Sequence, residues 1–154
     1  MRALLISDIH GNIDALRALE APWGSRLQEF ERIICLGDLV DYGPSPGDVI
    51  DWTRSHATNV VRGNHDHAVA TGESCRSAPA FLEASVLTRL RLQETLTANQ
   101  VDYLSALPYT DTVTDIGLHG SRHCISFTPV QAIRSTRTCR RNGLPRNGRL
   151  GSRT

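Results

Sequence analysis

The chain has 154 residues, 40% of them apolar, and a mean hydropathy of -0.26, a length that suggests one domain. No apolar run approaches the roughly 18 residues of a membrane span, and Met1 to Ile6 runs straight into Ser7-Asp8-Ile9-His10 without a small-residue cleavage site. A membrane protein, a secreted disulfide scaffold and a fibrous protein are set aside, and a cytoplasmic location is expected.

The net charge of +1 conceals an asymmetry. Residues 1–120 hold nine arginines against all 16 acidic residues, net −7, whereas residues 121–154 hold eight arginines and no acid; lysine is absent throughout.

In chain order, residues 2–6 form a short continuous apolar run, the pattern of a strand covered on both faces. Asn12 then caps a helix with Leu16 and Leu19 on one face, ending near Pro22-Trp23-Gly24. Arg32 to Leu36 predicts a second strand, Pro46-Gly47-Asp48 opens a helix through Val49, Ile50 and Trp52, and Asn59 to Arg62 gives a third strand. Strands alternating with helices at this spacing imply a parallel sheet with helical crossovers. From Pro79 the pattern turns helical, with Phe81, Leu82, Val86, Leu87, Leu90 and Leu92 as its apolar face. Thr97-Ala98-Asn99-Gln100 fits a capping box for a further helix through Val101, Leu104 and Leu107 to Pro108. Thr110 to His119 reads as another strand. Residues 1–120 are therefore expected to form the domain. Residues 121–154 are expected to form an irregular Arg-rich tail, disordered over Ile133–Thr154.

Four cysteines (Cys35, Cys75, Cys124 and Cys139) form no CxxC pair. Cys35, inside an apolar strand, reads as a buried free thiol. The absence of an export signal then suggests a reducing compartment and no disulfides.

Three polar clusters each follow one of the apolar strands directly: Asp8-Ile9-His10-Gly11-Asn12, Gly37-Asp38-Leu39-Val40-Asp41-Tyr42-Gly43 and Gly63-Asn64-His65-Asp66. In a parallel sheet the carboxyl ends of the strands share one edge, and ligands collect there. This placement is expected to bring Asp8, His10, Asp38, Asn64 and His65 together. Carboxylates, imidazoles and an amide oxygen suit a first-row divalent ion such as Mn, Fe, Zn or Co. Each cluster alone reads as a turn or a helix cap. Three in order, each behind a strand, do not.

On these motifs the sequence resembles the calcineurin-like metallophosphoesterases, over residues 1–120. Ser7-Asp8-Ile9-His10-Gly11-Asn12 and the Leu107-Pro108 helix end look like the small bacterial phosphodiesterase branch. The resemblance implies an α/β (α+β) fold, a β-sandwich flanked by helices, here with an incomplete second sheet. It also implies a two-metal centre that hydrolyses phosphomonoesters or phosphodiesters, with manganese first among the candidate ions and Fe, Zn, Co or Ni as the others. By motif position, Asp8 and His10 would bind the first ion, Asp38 would bridge both, and Asn64 and His119 would bind the second. His65 would protonate the leaving oxygen, with Asp66 orienting it. The implied partner is a small phosphorylated substrate of unknown identity; the oligomeric state is not implied.

The family's downstream Gly-His-x-His motif is missing, since only His123 follows His119. The ligand set is therefore expected to fall short at both ions, and a catalytically impaired, truncated relative is the alternative expectation. The acid-free stretch beyond Ser121 reads as the product of a shifted frame in a GC-rich gene. Nucleic-acid binding is not expected of it, because Phe127 is its only aromatic residue and stacking platforms are missing. Among the other residues, His56 is expected on a loop and Trp52 in the packing. Asp41 is expected to shape the turn beside Asp38, Arg62 to lie at the surface, and His67 to be a candidate for lining the pocket.

Overall fold

A computed structural model of the chain describes residues 2–23, 27, 29–75, 79–118 and 121–127. Strands β1 (Ala3–Ile6), β2 (Arg32–Cys35) and β3 (Asn59–Val60) form a parallel sheet in that order. Ala3 stands opposite Arg32, and Cys35 opposite Val60. The crossovers are α1 (Ile13–Trp23) and α2 (Pro46–His56). Asn12 caps α1 as its sequence predicts, its Oδ1 accepting the Ala15 N–H at 3.0 Å. Pro46 opens α2, where its missing N–H has no intrahelical partner to lose.

The main core lies on one face of this sheet. Ile9, Ile13 and Leu16 meet Cys35, Leu39 and Val40 from the sheet and its following loop, together with Val49, Ile50 and Trp52 of α2. Helix α5 (Ala98–Ala106) closes the core with Leu104, followed by Leu107. Its capping box is present: Thr97 Oγ1 accepts the Gln100 N–H at 3.3 Å and Gln100 Oε1 accepts the Thr97 N–H at 3.0 Å. The opposite face of the sheet packs Ile34 against Val113 of β4 (Asp111–Leu118), with Leu5 left 53% exposed. Strand β4 pairs antiparallel with β5 (Ser121–Phe127) as a second sheet, so helices and a second sheet flank opposite faces of the first. The expected irregularity beyond residue 120 therefore does not hold for 121–127: the boundary falls inside a hairpin, whose backbone pairing extends to Phe127. Residues 128–154 lie outside the described residues.

Two further expectations change. Gly-Asn-His-Asp is not a free turn but the start of a helix, α3 (Asn64–Thr71), because Asp66 reaches back to accept the Gly63 N–H at 2.9 Å. The helix from Pro79, α4 (Pro79–Thr95), presents a different face from the one its apolar residues suggest. Phe81, Val86, Leu87 and Leu90 are 49–62% exposed, while Ser85 and Leu92 are buried. Apolar residues occur all round α4, so its pattern selects no side; the stripe through Ser85, Arg89 and Leu92 is the one the fold turns inward. No described helix is long and apolar enough to cross a membrane.

Candidate active site

The loops leaving β1 and β2 run side by side, continuing the parallel ladder past the strands. Asp8 N–H donates to Gly37 O at 3.2 Å, His10 N–H to Asp38 O at 2.9 Å and Gly11 N–H to Leu39 O at 2.7 Å. Gly43 N–H then returns to His10 O at 2.9 Å. Gly11 is required here: its φ is +65°, and a Cβ on it would stand 2.8 Å from Gly43 O.

Five residues with side chains also adopt left-handed backbone: Asp8, His10, Asp38, Asp41 and Tyr42, with φ between +50° and +69°. Such conformations cost of order 1–3 kcal/mol each and cluster where a fold must aim side chains at a site. Every one of these residues lies in the two strand-end clusters.

The consequence is that Asp8, His10 and Asp38, up to 30 residues apart in sequence, each offer a ligand atom within 4.8 Å of the others. His10 Nδ1 lies 2.8 Å from Val40 O. A carbonyl partner assigns the proton to Nδ1 and leaves the Nε2 lone pair for a cation, the second-sphere arrangement common at metal-binding histidines. Nε2 stands 4.0 Å from Asp8 Oδ1. Asp38 Oδ1 accepts the His65 N–H at 3.0 Å, which fixes that carboxylate between the second and third clusters. Asn64 donates its Nδ2 to Cys75 O at 2.8 Å, so the amide end that cannot bind a metal is the end tied to backbone. His119 lies outside the described residues. The donor set of two carboxylates and an imidazole, half-buried to exposed, fits a divalent ion in chemistry and spacing.

His65 sits beside this cluster, its ring 4.8 Å from that of His10 at 87° and 5.1 Å from that of Tyr42. Its carboxylate partner differs from the sequence expectation. Asp66 does not orient the ring; it is fully enclosed and accepts three backbone N–H groups, from Asp38 and Gly63 on Oδ2 and Leu39 on Oδ1, at 2.8–2.9 Å. Asp66 thus staples the β3–α3 turn to the β2–α2 loop. Burial pushes it up to about 6, against the pull of those donors.

The residue that meets His65 is Asp41, whose Oδ2 lies 2.6 Å from Nδ1 with both side chains buried. Burial lowers the pKa of His65, but the Asp41 hydrogen bond and the charges of Asp38 and Asp41 outweigh it and hold the imidazole above its ordinary range. Asp41 was legible only as a turn residue; its spacing of three from Asp38 puts it on the same loop, and only the approach of α3 gives it a histidine.

Other residues resolve into structural roles. His56 is the last residue of α2 rather than a loop residue, stacked on Trp52 with ring centroids 4.4 Å apart. Arg62 holds the segment between α5 and β4, its Nε donating to Leu107 O at 3.1 Å and its guanidinium lying 4.7 Å above the Tyr109 ring. His67 pairs with Tyr109, its Nδ1 lying 2.9 Å from the phenol oxygen. Cys35 and Cys75 are buried and in no disulfide, Cys35 pushed up to about 12 by burial.

The chain shares 32% identity over 104 residues with an uncharacterized protein of Methanocaldococcus jannaschii, covering 68% of this chain and 41% of that protein. It is 43% identical over 68 residues to a symmetrical bis(5'-nucleosyl)-tetraphosphatase of Yersinia pestis, covering 43% of this chain and 23% of the relative. Its fold is similar to that of a metallophosphoesterase from Sphaerobacter thermophilus, with a TM-score of 0.57 at 35% identity over 75% of this chain and 44% of the other. The chain thus spans less than half the length of each of these relatives. The calcineurin-like phosphoesterase pattern matches residues 1–145, which takes in all three strand-end clusters and the hairpin beyond them, and the chain belongs to that family.

Proposed function

We propose that this chain carries the phosphoester-hydrolysing centre of a two-metal phosphoesterase acting on a small phosphorylated substrate. The observation that carries the reading is the juxtaposition of the Asp8–His10–Asp38 donor cluster with the buried His65–Asp41 pair, joined by the 4.8 Å contact of the His10 and His65 rings. A donor cluster alone suits any cation, and an Asp–His pair alone suits many proton transfers. Side by side they suit displacement at phosphorus with an acid waiting for the leaving group.

Asp8, His10 and Asp38 would hold the first ion, and Asp38, Asn64 and His119 the second, with manganese the leading candidate. When bound, divalent ions at such a centre neutralise phosphoryl charge and lower the pKa of an attacking water. The chain's own contribution is orientation and proton transfer. With Asp41 ionised, Nδ1 of His65 carries a proton toward it, because two lone pairs 2.6 Å apart would repel. A proton on Nε2 is then available to the leaving oxygen as its bond to phosphorus breaks and the water oxygen bonds to phosphorus. The water's proton passes to solvent, and His65 is reprotonated for the next turnover. Asn64 adds a ligand without adding negative charge that would repel the substrate. The Tyr42 ring, 4.8 Å from that of His10, walls the cluster on one side. Likeness to a bis(5'-nucleosyl)-tetraphosphatase favours a nucleotide polyphosphate among the substrates, and a cytoplasmic location accords with that substrate class.

The test is Asp38→Asn in purified protein, with metal content measured alongside hydrolysis of an aryl phosphodiester. Loss of both metal and turnover is expected. Wild type that binds no manganese, or a variant with unchanged metal stoichiometry, would sink the two-metal reading.

A further inference from the structure

Helix α4 does something that its sequence does not call for. It leaves Val86, Leu87 and Leu90 between 49 and 62% exposed while folding Arg89 inward, its side chain only 16% exposed. Apolar residues occur all round this helix and select no side, so it is the fold that turns the stripe carrying Arg89 and Leu92 inward. Of the inward guanidinium, Nη1 donates to Glu73 O at 3.1 Å, and Nη2 lies 3.5 Å from Asp41 Oδ2, the same oxygen that meets His65. Asp41 has a fully buried carboxylate, and its Oδ1 and the Arg89 Nε have no hydrogen-bond partner among the described residues. An ionised carboxylate so placed is costly unless a cation stands near it. Arginine suits the task because its planar fork can touch the Glu73 carbonyl and Asp41 at once, which a lysine ammonium cannot do in the same geometry.

We propose that Arg89 is a positioning residue for the proton donor, acting through Asp41. The guanidinium fixes the Asp41 carboxylate so that Oδ2 stays on His65 Nδ1, and the ring is thereby held with Nε2 facing the donor cluster. The proposal rests on the phosphoesterase reading for its catalytic consequence but not for its geometry, and the experiment separates the two. Proton NMR would follow the low-field resonance expected of a His65 Nδ1–H held by a buried carboxylate, identified by its loss in His65→Ala. The spectra are taken on metal-free protein, because paramagnetic manganese would broaden the signal away, and the same proteins, then loaded with manganese, would be assayed on an alkyl and a p-nitrophenyl phosphoester.

In Arg89→Met the resonance should broaden or shift, and kcat for the alkyl ester should fall about tenfold, the lower end of what loss of an outer-shell partner costs. KM should hold, and the rate with p-nitrophenyl, which needs little protonation, should stay within about twofold. Adding Arg89→Met to Asp41→Asn should cost little beyond Asp41→Asn alone, since Arg89 acts through Asp41. Arg89→Lys, which keeps the charge and most of the stem, should restore the p-nitrophenyl rate fully and the alkyl rate only in part; it also decides the matter by the same readouts if the methionine variant does not fold. An unchanged resonance in the variants, its absence from wild type, equal losses on both esters or a change confined to KM would overturn the positioning role. If wild type hydrolyses neither ester, the phosphoesterase reading fails and the resonance alone decides Arg89.

Discussion

The loops behind β1, β2 and β3 and the helix α4 make opposite bargains with local preference. In the loops, five residues with side chains take left-handed backbone that glycine would adopt more readily. That strain brings Asp8, His10 and Asp38 into one cluster and seats His65 on Asp41. In α4 the backbone is regular, but the helix shows Leu87 and Leu90 to solvent while turning Arg89 inward beside the buried Leu92. Strain in the loops is held by a dense lattice of backbone hydrogen bonds and by the Asp66 staple. Among the described residues, the inward stripe of α4 runs through Ser85, Arg89 and Leu92. Where many short-range bonds agree, a strained conformation persists; where few do, the pattern of the element says little about how it sits.

The largest expected effect lies on the loop side. His65→Ala should lower turnover of a poor-leaving-group ester by about 10²–10⁴-fold, the usual worth of a positioned acid. It should leave metal content near wild type, because the ring faces the cluster without belonging to it. Equal losses on good and poor leaving groups, or lost metal, would break the separation between ligand and acid.

Asp66→Ala should be next, and it should act on stability. It would strand three backbone N–H groups on the β2–α2 loop and the β3–α3 turn. Each unpaired buried donor costs roughly 1–3 kcal/mol, so a loss of about 3 kcal/mol or more in denaturant unfolding is expected. A variant of native stability whose activity alone is lost would return Asp66 to the catalytic role that its place in Gly-Asn-His-Asp first suggested.

A pair of substitutions, one comparable to that loss and one the smallest of all, sharpens the contrast within α4 itself. Leu92→Ala removes a buried side chain and should cost about 2–5 kcal/mol, whereas Leu87→Ala, at a position 62% exposed, should stay within about 0.5 kcal/mol. Thermal melts of the two variants decide it, and similar losses for both would mean that Leu87 is covered.

Much of the scaffold was legible before any coordinates. Continuous apolar runs marked the three strands, although only β2 is well covered and Leu5 of β1 stays exposed; Asn12 and Thr97 announced helix starts through side-chain acceptors, and Pro46 opened α2. These are local signals, set by hydrogen bonds that span three or four residues. The faces of α4, the helical state of Asn64–Thr71 and the strand at Ser121–Phe127 were not legible, because each depends on a partner distant in sequence or on a residue reaching back into a turn. His56, expected on a loop, is instead the last residue of α2, stacked on Trp52 one turn earlier.

The sequence by itself determined which residues could carry chemistry and the strand ends at which they stand, since cluster order behind apolar runs is a one-dimensional property and parallel strands share an edge. Tertiary structure alone decided which carboxylate serves which histidine. Asp41 and Asp66 both lie within reach of His65 by motif, but Asp66 is drawn away by three backbone donors, while the packing of α3 and the inward turn of Arg89 leave Asp41 facing the imidazole. Competition for a buried carboxylate is settled by which donors arrive at it in space, and no spacing along the chain records that.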